Sequence, residues 1–589
     1  MLKKITKYNS FYLFLIFLFV LWQSRFLFIP GLFTFSDESH LANLHQMIAA
    51  LQSGQIPPRW APNFSYNFGH PFFNFYYLLP YLVGSFFYLI FNFSLILSLK
   101  SIFFLSLLAS GIAMYYLGQK FFNKSTSFAV SIIYLFTPYR AVDLYVRGSI
   151  GELFGFVFMP LVLLTFINLL KSKHFSSLFW AVISLSGLII SHNLTILIFS
   201  PILLLLLTIY LFQNIPPAER ITSTIRTIIA FFLSFLLSSF YLLPALLEKK
   251  YMQTGTPFNP IDHFPFIKQL IIPYWGYGAS VWGPTDQLSF QIGVTNLMIV
   301  IIVFLMIIFS KFKYKSLAIG LLIAFFASVV MMNIRSLPVW QLIPIASYVQ
   351  FPWRFLIITT FTTSLLSGFI SLHPKHNLKN IPLFLAALSI LFTYSYFQPH
   401  KVQKVDDNYY LNRFFINQNS QNKSNLLSDV YQYNSEDYLP LTIWTSARPK
   451  SLLPKIETSP NTIISEYKEI SAINYQFNLD SVEESTVFIN NYYFPGWQAY
   501  IDDKPVKTSP SGPLGRISFQ VSNGQHQVLL KFENTTIRRC SNLISLLTFF
   551  ILFIFFVKTN FLNYYRTKSI SKNPSQSKTN SPNSKNIPR

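Results

Sequence analysis

The chain has 589 residues, of which 52% are hydrophobic and only 11% charged, with phenylalanine alone occurring 64 times. Soluble domains carry about 25% charged residues, so the composition excludes an ordinary soluble protein and indicates a polytopic membrane protein. The single cysteine, Cys540, excludes an internal disulfide or a cysteine-rich metal site. The net charge of +23 sits in loops and a tail suited to anionic lipid, so no nucleic-acid partner is expected.

The apolar stretch 11–30 follows Lys3-Lys4 and lacks a small-residue cleavage site, so it reads as a retained first helix. Further spans are expected within 73–118 and at 125–138, 153–170, 177–191, 194–212, 227–247, 290–309, 316–333, 353–372, 381–397 and 541–557. Basic connections recur at Lys120 to Lys124, Lys171 to His174, Arg220 to Arg226, Lys311 to Lys315 and Lys375 to Lys379. Placing these and both termini in the cytoplasm satisfies the positive-inside rule and gives an even number of crossings, about twelve. Segments 73–93 and 98–118 cannot then both cross, so 73–93, with its internal Pro80, is expected to be re-entrant or surface-lying.

This reading divides the chain into a transmembrane domain at 1–397, a β-rich extracytoplasmic domain at 398–540, a last helix at 541–557 and a basic disordered tail at 558–589. In the second of these, Thr486 to Tyr493 alternates like a strand. Arg516 to Val521, a turn at Ser522-Asn523-Gly524 and His526 to Phe532 read as a hairpin of a small β-sandwich.

The charges outside the membrane are where chemistry is expected. The loop 31–72 holds Asp37, Glu38 and His40, then Leu41, Leu44, Ile48 and Leu51 at helical spacing, an amphipathic helix expected to lie on the bilayer. A carboxylate held near a lipid head group can deprotonate an acceptor hydroxyl or help hold a divalent cation. The competing reading is that Asp37 only caps the helix. The second loop, from Tyr139 to Glu152, adds Arg140, Asp143 and Arg147, and Pro352-Trp353-Arg354 puts another arginine at the mouth of a span. Arginine suits phosphate because its planar fork makes two parallel bonds; the competing reading is an internal ion-pair set. The glycine-rich aromatic loop 248–289, with Tyr274-Trp275-Gly276-Tyr277-Gly278, suits stacking against sugars.

Three strings carry a resemblance. Asp37-Glu38 with His40, Gly54 to Trp60 (through Pro57-Pro58-Arg59), and Gly69-His70-Pro71 to Tyr76 resemble a bacterial multispanning family labelled 6-pyruvoyl-tetrahydropterin synthase-related. Tyr145-Val146-Arg147-Gly148 with Glu152, and Gln350 to Arg354, look like the same family. Tyr493 to Asp502 with Gly524-Gln525-His526 resembles the C-terminal β-domain of YfhO-like proteins. The pterin label implies no pterin chemistry, because that soluble enzyme uses a zinc-binding histidine cluster and none is visible here.

The architecture is similar to GT-C glycosyltransferases. That resemblance implies an α-helical polytopic protein in the bacterial cytoplasmic membrane with a β-sandwich-like C-terminal domain. It implies sugar transfer from a polyprenyl-phosphate donor to an extracytoplasmic glycan or protein. Asp37 matches the position of the essential acid, with Glu38 and His40 assisting and a Mg or Mn ion as a candidate cofactor. Arg147 and Arg354, with Glu152 and Arg59, are the candidates for the phosphate and substrate. The alternatives are a flippase of lipid-linked saccharides, which calls for polar residues near the bilayer midplane, and a non-catalytic scaffold displaying the β-domain.

Overall fold

The structure is a computed structural model that describes residues 2–253, 259–375, 378–415 and 439–572. Among them, six helices are long and apolar enough to cross a membrane: Leu95–Gly118, Ile150–Lys171, Asn193–Asn214, Pro217–Leu237, Pro352–Leu372 and Thr536–Phe561. A seventh candidate is the pair Lys315–Met331 and Ile334–Leu342, bent by 93°. The expected count of about twelve is therefore not met by the helices themselves. Several expected spans are short apolar helices such as Phe175–Ser191, Val294–Phe309 and Ile381–Tyr396, and so is Leu79–Phe91, in the segment 73–93 that was expected not to cross. At 1.5 Å per residue, the 13-residue helix Leu79–Phe91 is about 20 Å long, short of a hydrocarbon core of about 30 Å. The segment 125–138 is likewise a 12-residue helix, Lys124–Leu135, that stops ahead of Pro138.

Burial separates centre from rim. In Ile150–Lys171, 78% of the apolar window is covered by protein, against 17% in Pro217–Leu237. The rim helix turns Ile221, Ile225, Ile228, Phe232 and Phe235 outward in one stripe, a face suited to lipid. The last helix, expected over 541–557, runs Thr536–Lys572, so the first part of the expected tail is helical. The rest of that tail lies outside the described residues.

The loop after the first helix is enclosed by protein. β1 (Leu32–Phe33) pairs antiparallel with β2 (Val402–Gln403), so residues just after 397 belong with this loop rather than with the β-domain. The amphipathic helix Ser39–Gln52, expected on the bilayer surface, instead buries both faces: Leu41, Leu44 and Met47, but also His40, Asn43 and Gln46. Its polar face finds partners in place of water. His40 and Asn43 meet the Tyr81 hydroxyl at 2.7 and 3.0 Å, and Gln46 donates to Asn63 at 3.1 Å.

The β-domain comprises β3 (Ile456–Thr458), β4 (Thr462–Ser471), β5 (Asn474–Ser481), β6 (Ser485–Tyr492), β7 (Trp497–Ile501), β8 (Lys504–Val506), β9 (Ser509–Ser511), β10 (Arg516–Val521) and β11 (Gly524–Phe532). They form two antiparallel sheets, β3-β6-β10-β9 and β4-β5-β11-β7-β8. Phe477, Val487, Ile489, Phe519, Val528 and Leu530 fill the core they share. The expected hairpin of β10 and β11 is not formed. The turn between them carries the chain from one sheet to the other, with Gly524 at φ +113°, where only glycine is unstrained.

This domain rests on the first loop. Trp60 is fully buried, edge-on to Trp497 (5.3 Å between ring centroids) and against Phe532 (5.1 Å), and Tyr492 N–H donates to the Phe68 carbonyl at 3.1 Å.

Candidate active site

The expected acid is seated by backbone pairing. Ser36 and Asp37 N–H groups donate to the carbonyls of Val146 and Arg147, each at 2.9 Å, so the first loop lies edge to edge with the second. This approach depends on Gly148, at φ +72°, because an added Cβ would stand 2.2 Å from the Phe35 ring. The preceding turn, Val142–Arg147, is π-helical, a widened turn frequent at functional sites. Asp37 does not cap its helix: the N-cap is Glu38, with no side-chain cap bond.

Around it, Arg147 donates to Asp143 (2.6 Å) and pairs with Glu152 (2.9 Å). Its guanidinium lies 4.7 Å over the Trp353 ring. Arg354 pairs with the same Glu152 through Nε (3.2 Å) and donates from Nη1 to the Val349 carbonyl and to Gln350. Tyr139 closes the set by donating to Glu152 at 2.5 Å. The internal ion pairs weighed from the sequence are therefore real. Neither guanidinium uses Nη2 in a hydrogen bond among the described residues.

Asp37 differs from every other carboxylate here. It is half-buried and makes no side-chain hydrogen bond or ion pair among the described residues, while its charge acts on His40, Arg147, Arg354 and Tyr76. The same loop carries an aromatic row not anticipated from the sequence, whose Tyr76 feels the Asp37 charge. Phe72 stacks on Tyr76 (4.6 Å), Tyr76 on Tyr77 (4.2 Å) and Tyr77 on Tyr81 (5.6 Å), and His192 stands edge-on to Tyr77 (5.5 Å). The available signal was the four-residue interval from Tyr77 to Tyr81. Gly151 lets His192 and Tyr77 reach the helix of Glu152, since a Cβ there would meet both within 2.8 Å.

Two expected residues lie apart from this set. Glu38 is bound by Arg413 at 2.6 Å; burial pushes its carboxyl up and the arginine opposes that. Arg59 donates to Asn74 (2.9 Å), the Phe240 carbonyl (2.8 Å) and Asn542 (3.0 Å). Beside it, buried Glu248 accepts from Asn74, Thr535 and Arg538. Among the described residues, no group of three or more His, Cys, Asp or Glu side chains is placed to hold a metal ion.

No family model matches the chain. A protein of Lactococcus lactis subsp. cremoris (strain MG1363), described as uncharacterized, is 26% identical over 328 residues, 53% of this chain and 51% of that protein. The chain thus spans about half the length of the curated relative it matches. Among solved structures, it is similar to the arabinofuranosyltransferase AftD from Mycobacteria, at 12% identity and a TM-score of 0.45, covering 69% of this chain and 28% of that one. A mutant of the same protein gives 11% identity and 0.43, covering 68% and 29%.

Proposed function

We propose that this chain is a membrane glycosyltransferase that moves a sugar from a polyprenyl-phosphate carrier to an extracytoplasmic acceptor. The end bearing Asp37 and the β-domain would face outward, with both termini in the cytoplasm. The observation that carries the reading is the Asp37 carboxylate, which, like the Nη2 groups of Arg147 and Arg354, makes no hydrogen bond among the described residues.

In this reaction the acceptor hydroxyl attacks the anomeric carbon and gives its proton to the Asp37 carboxylate. The bond from that carbon to the phosphate oxygen breaks, and its electron pair leaves on the carrier phosphate. Arg147 and Arg354 meet the negative charge that collects there, as preorganised donors in a water-poor site do. Glu152 holds both arginines in place. Among the described residues of this site, Asp37 is the carboxylate without a hydrogen bond or ion pair, and it would be the protein's ligand to a divalent cation. Mg commonly binds one or two carboxylates plus substrate phosphates, so Asp37 and the carrier's oxygens are the set proposed for it.

The test is sugar release from radiolabelled polyprenyl-phosphate sugars by purified protein in lipid, wild type beside Asp37→Asn. Release that disappears in a folded mutant supports the reading. No release with any donor, together with movement of intact lipid-linked saccharide between leaflets, would replace it with a flippase.

A further inference from the structure

The helix Val294–Phe309 begins without a cap. Gly293 stands at its N-cap position and has no side chain to offer. The N–H groups of Val294, Thr295 and Asn296 make no hydrogen bond among the described residues, and the first bond of the helix runs from Leu297 N–H to the Gly293 carbonyl at 3.0 Å. Thr295 adds a hydroxyl to these donors. It is 3% exposed, and its Oγ1 has no partner among the described residues. A threonine deeper in a helix returns its hydroxyl to a carbonyl one turn back, as Thr363 does to Thr359 at 2.6 Å. Thr295 has no helical turn behind it.

All three residues line an open cavity of about 350 Å³. The other hydroxyls and the amide in its wall are already engaged: Ser389 donates to the Phe136 carbonyl (2.5 Å), Thr393 to the Ser389 carbonyl (2.7 Å) and Asn296 to Thr363 (2.6 Å). No carboxylate lines it. Pro138, next to Tyr139, forms part of the wall, so the cavity is at the end of the bundle that carries Asp37. Its rim includes Phe392, 42% exposed, and Tyr396, which stacks on Trp275 at 4.4 Å between ring centroids. A tryptophan–tyrosine pair at a helix end marks the level of lipid headgroups, and an exposed phenylalanine beside it suits an acyl chain.

Three free N–H groups and a free hydroxyl, with no acid among them, form a site for an anion. The first turn of a helix is a ready-made phosphate site. We propose that this cavity binds the headgroup phosphate of a bilayer phospholipid, with the Val294, Thr295 and Asn296 amides and the Thr295 hydroxyl on its oxygens and an acyl chain along Phe392. The site is separate from Asp37, Arg147 and Arg354, and the proposal does not depend on the transferase reading.

The experiment titrates the full chain, stripped of lipid in detergent, with dihexanoylphosphatidylglycerol, read by calorimetry and by thermal melt. Dihexanoylglycerol lacks the phosphate and inorganic phosphate lacks the chains; the phospholipid should bind and raise the melt, and neither control should. Thr295→Val keeps the shape and should bind about tenfold more weakly, as expected for one lost hydrogen bond to a charged group. Before any lipid is added it should melt higher than wild type, because it removes an unbonded buried hydroxyl. Val294→Pro deletes one N–H at a position where proline suits a helix, and should also weaken binding. Wild-type affinity in both variants, or dihexanoylglycerol binding as tightly as the phospholipid, overturns the proposal. So does a lipid-free Thr295→Val that melts lower than wild type. Inorganic phosphate binding as tightly as the phospholipid overturns the assignment to a lipid.

Discussion

Two buried charge clusters grow from the same loop, and they end differently. In the cluster of Arg59, Glu248 and Arg538, both carboxylate oxygens of Glu248 are occupied: one by Thr535, the other by Asn74 and Arg538. In the cluster of Arg147, Glu152 and Arg354, the neighbouring acid Asp37 makes no side-chain hydrogen bond or ion pair among the described residues. Depth differs as well: Glu248 and Glu152 are both essentially inaccessible, whereas Asp37 is half-buried. On the proposed reading, what separates a structural charge from a reactive one is whether the protein itself completes its hydrogen bonds.

The largest expected effect tests that contrast directly. Asp37→Asn should cut turnover by about 10²–10⁴-fold, the range for a lost proton-transfer group, with the thermal melt of the protein in lipid unchanged. Glu248→Leu should do the reverse: it strands Arg538 as a buried unpaired charge and costs about 3–5 kcal/mol in the melt. Adding Arg538→Met should recover part of that loss.

Acid should weaken the same region. Burial holds His70, which bonds the Pro440 carbonyl at 2.9 Å, down to about 4. The unfolded chain takes up its proton near pH 6.5 and the folded one only near 4, so stability is whole above 6.5 and falls as the pH drops towards 4. The loss should reach about 3 kcal/mol and shrink in His70→Gln, read as melting temperature against pH.

Arg354→Lys keeps the charge but not the planar fork, and should lower kcat/KM by roughly thirtyfold, about 2 kcal/mol. Smallest of all, Glu38→Gln removes only the bond to Arg413 and should cost about 1 kcal/mol in the melt, with sugar release unaltered. A large loss of release there would put Glu38 back beside Asp37.

The membrane character and the β-strands were legible because composition and alternation are local. The number of spans was not, since a short buried helix and a full crossing share the same apolar composition, as Lys124–Leu135 shows. The turn at Ser522-Asn523-Gly524 was recognisable, but turn chemistry does not reveal which sheet the next strand joins. Asp37, Arg147, Glu152 and Arg354 stood out as charges beside apolar helices, and the structure brings them together. Arg59 bore the same mark, and its fate was decided by Asn542, 483 residues away. Tyr76, Tyr77 and Tyr81 were lost against a background of 64 phenylalanines and 33 tyrosines.

The stitching of the first loop to distant chain also sets an order of events during synthesis. Glu38 waits for Arg413, 375 residues later, which at about 5–20 residues per second is roughly 20–75 s of elongation. β1 waits for β2 over a similar interval, and Trp60 waits longer still, for Trp497 and Phe532. Through that time the loop bearing Asp37 is without its enclosure. On the proposed reading, a ribosome that stalls before the β-domain would leave an inserted membrane protein whose Asp37 loop lacks the contacts that enclose it.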